Sequence, residues 1–98
     1  MIDKPGKGAF TGTNLDNILR NLGVTNLIFC GVTTDVCVHT TIREANDRGY
    51  DYLLVEDCCA AGKEKLHEAA VEMVRGEGGI FGATAKLKDV VDVLDEMV

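Results

Sequence analysis

Positive charge is scarce in this 98-residue chain: Lys and Arg number 10 against 16 Asp and Glu, a formal net charge of −6. A phosphate backbone needs a basic face, and none is visible, so nucleic acid is excluded as a partner. Long apolar runs are lacking too. The longest span a few residues, far short of the roughly 20 that cross a bilayer, so no membrane span is read. No basic amino-terminal stretch leads into an apolar one, so no secretory leader is read, and cysteines without a disulfide pattern lead to the expectation of a reducing, cytoplasmic location. There is no C-x-x-C, and His39 and His67 stand far apart, so no metal and no cofactor are expected. Repeats, low-complexity tracts and linkers are also absent, which leaves one small domain.

What is present is the composition of an ordinary globular chain, 46% hydrophobic and 27% charged. The four cysteines do not read as a disulfide framework. Cys30 ends an apolar run, Cys58 and Cys59 are adjacent, and the other segments are able to form a core without staples.

Helical and strand patterns alternate. Thr13 and Asp16 have the form of a capping box ahead of Leu15, Ile18, Leu19 and Leu22, which share one helical face; Gly23 suits the stop. Asn26 to Gly31 reads as a buried strand, and Asp35 to Arg48 as a second helix ended by Gly49. Tyr52 to Val55 is the next buried strand, closed by Glu56-Asp57. A third helix, Lys63 to Arg75, carries Leu66, Ala69, Ala70 and Met73 on one side. "GGIFG" (Gly78 to Gly82) holds a very short third strand, and Thr84 caps a last helix striped by Leu87, Val90, Val91 and Leu94. Apolar strands alternating with helices predict a Rossmann-like α/β fold, a three-layer α/β/α arrangement around a parallel sheet of about three strands with four helices. Three strands make a thin sheet, so the chain reads as half of a larger α/β domain with one flank wanting a neighbour.

Ligands of open α/β sheets collect beyond the carboxyl ends of the strands, and Cys37 lies just past one such end, in "GVTTDVCVHTT". The positive end of a helix and its free N–H groups favour a thiolate there and could hold an oxyanion. The bland alternative is that a cysteine at a helix start is merely small and apolar. His39, two residues on, points away from Cys37 on a helix and is read as a core-edge histidine, while Asp35 caps the helix or faces solvent. Lys4, in the Gly- and Pro-bearing opening, is by itself a solvated charge.

Three stretches together resemble the carboxyl-terminal half of an isochorismatase-like cysteine hydrolase. They are "GVTTDVCV" at Gly31–Val38, the pattern Lys4, Ala9, Phe10, Gly12, Thr13, Leu15, and "REANDRGY" with the strand and Glu56-Asp57 behind it. The resemblance runs on through "GGIFGAT" and so covers nearly the whole chain. It implies hydrolysis of a small amide, of ureido or carbamoyl type, through a covalent intermediate on Cys37, with Lys4 steadying the charge. It also implies a cis peptide between Val32 and Thr33, and an oxyanion hole formed by the N–H groups of Thr33 and Cys37. Phe10, Thr34 and Glu77 become candidate pocket residues, although Phe10 also reads as a core aromatic and Glu77 as a solvated helix-end charge. The family's third catalytic residue, an aspartate base upstream of the lysine, has no match here, so the chain is expected to be a fragment holding two of three catalytic residues. The competing expectation is a non-catalytic remnant that serves as an interaction or assembly module. In either case the uncovered sheet is expected to drive homo-oligomerisation or association with the amino-terminal half.

Overall fold

Tyr52, Leu53, Leu54 and Val55 are apolar toward both sides, and in the computed structural model, which describes residues 1–97, they lie in the central strand of the sheet. Three parallel strands, β1 (Asn26–Val32), β2 (Asp51–Ala60) and β3 (Ala83–Ala85), stand in the order β1-β2-β3. Four α-helices connect and cover them: α1 (Leu15–Asn21), α2 (His39–Asp47), α3 (Glu64–Gly79) and α4 (Leu87–Met97). None of the described helices is long and apolar enough to cross a membrane.

Register decides which side chains share a face. Leu27 lies opposite Tyr52 and Phe29 opposite Leu54, and this face packs on Val38, Ile42, Val71 and Val74. A second cluster, Phe10, Ala45 and Tyr50, joins the same face through Leu27 and Phe29 and takes in Leu15 and Leu19 of α1. Ile28 and its neighbour Leu53 point the other way, toward Val90, Val93 and Leu94 of α4. Helices therefore lie on both sides of the sheet, which is the expected α/β/α layering.

Several local expectations need correction. The strand Asn26–Gly31 is not buried through its length: exposure alternates along β1, with Ile28 59% and Val32 68% exposed, because α4 alone covers their side. The strand expected to close at Val55 continues to Ala60 and carries the buried Glu56 inside it. No capping box forms ahead of α1. The Thr13 hydroxyl bonds back to the carbonyls of Ala9 and Phe10, and Asp16 instead accepts from Tyr50 Oη (2.7 Å) and Arg20 Nε (3.1 Å). The second helix arrives in two parts, a π-helical turn (Thr34–Val38) followed by α2.

The inward stripe of α3 is also displaced. Ala70, Val71 and Val74 are buried, whereas Leu66 and Met73 are 41% and 52% exposed; a change of one position turns a helix by about 100° and exchanges its faces. Regular helical backbone ends near Arg75, and Glu77, Gly78 and Gly79 take positive φ angles of 53°, 69° and 81° to reverse the chain. "GGIFG" is this reversal and its exit, and the third strand forms later, at Ala83–Ala85. Thr84 consequently sits in β3, where it accepts from Arg75 Nε (2.8 Å). The Leu87 N–H at the start of α4 is taken by Asp57 Oδ1 (2.8 Å).

Glu56 tolerates its place in the sheet because Lys86 Nζ stands 2.7 Å from one carboxyl oxygen and the Arg75 guanidinium bonds the other. These partners, Lys86 foremost, hold its carboxyl below the ordinary 4.5 against the opposing effect of burial. A carboxyl depressed in the folded state contributes stability above its unfolded value, and that contribution is lost as pH falls through the folded value. Melting temperature is therefore expected to fall once pH drops below about 4.5, and Glu56→Gln to flatten that part of the decline in a calorimetric pH series.

Candidate active site

Gly31, next to last in β1, takes φ +133°, a conformation that a side chain would strain, and the Val32–Thr33 peptide that ends the strand is cis. The chain then closes its π-helical turn on one acceptor: the Thr33 carbonyl takes the N–H groups of Val36 (3.3 Å) and Val38 (3.1 Å). Two threonines of α2 hold the turn from below. Thr40 Oγ1 donates to the Val36 carbonyl and Thr41 Oγ1 to the Cys37 carbonyl, each at 2.7 Å. Cys37 thus stands beyond the carboxyl end of β1, partly exposed, in a turn pinned at both ends.

The opening segment reaches the same place. Lys4 Nζ donates to the carbonyls of Gly6 (3.0 Å) and Lys7 (3.1 Å) and stands 3.5 Å from Cys37 Sγ. The Ala9 N–H donates to Thr41 Oγ1 (3.1 Å), and Thr11 Oγ1 to Glu44 Oε2 (2.5 Å), so the segment is laid along α2. A Cβ on Gly8 would lie 1.7 Å from Glu44 Oε1, so a side chain there would require the Glu44 carboxylate to swing aside.

A cavity of about 220 Å³ opens beside the sulfur, walled by Ala9, Phe29, Cys30, Gly31, Val32, Val38 and Thr41. It is small and largely apolar, room for a compact substrate. A larger cavity of about 500 Å³ lies between the end of β2 and α3, lined by Glu56, His67, Arg75 and Lys86, and touches neither Lys4 nor Cys37. Among the described residues no group of three or more His, Cys, Asp or Glu side chains converges in a way that could hold a metal ion.

The structure brings together Lys4, Cys37 and the Val32–Thr33 peptide, and leaves the three candidate pocket residues elsewhere. Phe10 is 3% exposed and stacks on Tyr50 with ring centroids 5.8 Å apart, which makes it a core aromatic. Thr34 is 1% exposed and turns its hydroxyl inward, 2.7 Å from His67 Nδ1. Glu77 is an exposed residue of the reversal after α3. His39 is not turned to the thiol: its Nδ1 accepts from Arg43 Nε (3.4 Å), and burial, with Arg43 beside it, lowers its pKa from the usual 6.5. Asp35 lies within the π-helical turn and not at a cap. Cys30, Cys58 and Cys59 are free thiols, and burial pushes that of Cys59 up.

Two residues, Thr41 at the site and His67 beneath Thr34 in the larger cavity, were not singled out by the sequence. Thr41 is one of two adjacent threonines in "HTTIRE" and nothing in the pattern separates it from Thr40. His67 is betrayed only by its spacing of three, four and seven from Ala70, Val71 and Val74, the buried side of α3.

Fold and site together define an α/β domain of the parallel-sheet class whose carboxyl edge presents a lysine–cysteine pair. The model of the isochorismatase domain matches residues 1–86, and the chain belongs to the isochorismatase family. It is similar to the ureidoacrylate amidohydrolase RutB of Methylobacterium radiotolerans, 42% identical over 94 residues that cover 95% of this chain and 36% of that protein. An isochorismatase-like hydrolase from Alkaliphilus metalliredigens superposes with a TM-score of 0.87 at 25% identity, over 95% of this chain and 49% of that one. The nicotinamidase SaPncA from Staphylococcus aureus does so at 0.80 and 30% identity, over 86% and 53%. The chain spans about a third of the length of the curated relatives it matches, and about half of these solved chains.

Proposed function

We propose that this chain carries the thiol and lysine of a cysteine hydrolase acting on a small amide of ureido or carbamoyl type. The observation that carries the reading is the 3.5 Å approach of Lys4 Nζ to Cys37 Sγ beside a small cavity. The ammonium is held by two carbonyls of its own loop, so its charge is aimed before any substrate arrives. The Cys37 thiolate attacks the substrate carbonyl carbon, a C–S bond forms, and the displaced electron pair moves onto oxygen. The N–H groups of Thr33 and Cys37 receive that oxyanion. Collapse breaks the C–N bond, the amine leaves with the proton that the thiol gave up to a base, and water then cleaves the thioester, releasing the acid and restoring the thiol. In this proposal the family's aspartate, which has no match among these residues, serves as the base for full turnover. A thiolate needs no such base to attack an activated ester.

Iodoacetamide competition tests the reading. At pH 6.5 Cys37 is expected to alkylate at least about tenfold faster than Cys30, and Lys4→Met to remove most of that advantage. Equal rates at the two thiols in the unaltered chain would sink it.

A second reading, that of an assembly module, rests on a different observation. An apolar groove of about 420 Å³ runs between Ile28, Leu53 and Ala85 of the sheet and Val93, Leu94 and Met97 of α4, and Val32 stands exposed on the same strand as Ile28. Covering it with a second copy or with further polypeptide of the domain removes that surface from water. Sedimentation velocity is expected to show self-association at micromolar concentration; a stable folded monomer throughout would contradict this reading.

A further inference from the structure

We propose that Thr41 is the positioning residue that locks the lysine loop to the nucleophile turn. This inference rests on the reading of Lys4 and Cys37 as a functional pair. A hydroxyl has one proton to give and lone pairs to receive with. Thr41, 7% exposed, uses both: it gives its proton to the Cys37 carbonyl at 2.7 Å and receives the Ala9 N–H at 3.1 Å. The first bond, to a carbonyl four residues back, is common for threonine in helices. The second is not local, because Ala9 lies 32 positions away in a segment without regular structure.

That segment is joined internally by the Lys4 ammonium, which is bonded to the carbonyls of Gly6 and Lys7. It is joined externally to α2 at Thr41 and Glu44, three positions apart and so on one face of the helix. Of these two anchors, Thr41 alone also bonds the residue that bears the sulfur. Its hydroxyl therefore sets the loop's position relative to the turn, and with it the distance between ammonium and thiol. A carboxylate or amide at this position would be too long for both bonds, and valine would fill the space while making neither.

The test reads the alkylation rate of Cys37 against that of Cys30 in the same molecule. Thr41→Val, which loses both hydrogen bonds, is expected to slow Cys37 by about tenfold or more and to leave Cys30 unchanged. Thr41→Ser, which keeps the hydroxyl, is expected to restore the rate to within about twofold. In a Lys4→Met background, Thr41→Val is expected to add almost nothing, since the effect passes through Lys4. General loosening would instead speed alkylation at the partly exposed Cys58 and Cys59 as well. Should Thr41→Val fail to fold, Thr41→Ala is measured in its place, together with exchange of the Ala9 amide hydrogen, which is expected to accelerate. An unchanged Cys37 rate, a full effect persisting without Lys4, or failure of serine to restore it would overturn the inference. If the unaltered chain shows no advantage for Cys37, it is the underlying reading that fails.

Discussion

Cys37→Ala is expected to abolish the rapid release of p-nitrophenolate from p-nitrophenyl acetate, a loss of roughly a thousandfold or more in the initial rate. The unaltered chain should release about one equivalent per site as the acetyl group passes to sulfur, and then slow. The size of the effect follows from the chemistry: without the sulfur no C–S bond forms, and Lys4, bonded to two carbonyls, has no comparable nucleophile to offer. The acetylated residue is identified by mass spectrometry of a peptic digest. A burst that survives in Cys37→Ala, or an acetyl group found on Cys30 or a lysine, would remove the basis for assigning the nucleophile to Cys37.

Leu54→Ala is expected to produce the largest loss of stability. Leu54 is 1% exposed on the central strand, among Val38 of the π-helical turn, Ile42 of α2 and Val71 and Val74 of α3. Truncating a leucine so enclosed costs about 2–5 kcal/mol, because the cavity it leaves cannot fully collapse. In a chain of this size, that lowers the melting temperature by more than about 10 °C. Leu22, 72% exposed beyond the end of α1, provides the contrast: Leu22→Ala should stay within about 0.5 kcal/mol. Equal losses at the two positions would mean that the core has been misplaced.

The alternation of helix and strand could be read because each strand is an apolar run set between helical periods, and packing had no reason to override it. "NLIFC" and "YLLV" both became strands for that reason. What the sequence could not show was which side would find a partner. Ile28 and Val32 are as apolar as Leu27 and Phe29, yet stand exposed because only α4 covers their face. Leu66 and Met73 failed as core positions for a related reason: several stripes of α3 are apolar enough, and the turn of the helix chose the one bearing Val71 and Val74. Glycines after Arg75 were read as a strand when the backbone needed them to reverse direction.

The site divided in the same way. Lys4 and Cys37 stand out through the motifs around them, and they meet in the structure. Phe10 and Thr34 belong to the same motifs, but one stacks in the core and the other bonds His67. The carboxylate of Glu56 entered a strand that hydropathy would have ended before it. Its two cations, Arg75 and Lys86, lie 19 and 30 positions further on and become its partners only when α3 and β3 fold back.

The reversal after α3 has a practical use. No other atom lies within 4 Å of where a Cβ would stand on Gly76, Gly78 or Gly79, and none of the three borders the cavity beside Cys37. Lengthening a surface connection costs little chain entropy. A reporter peptide or fluorophore spliced between residues 77 and 78 would thus report on the molecule from outside, leaving all four native thiols to be followed by their own chemistry.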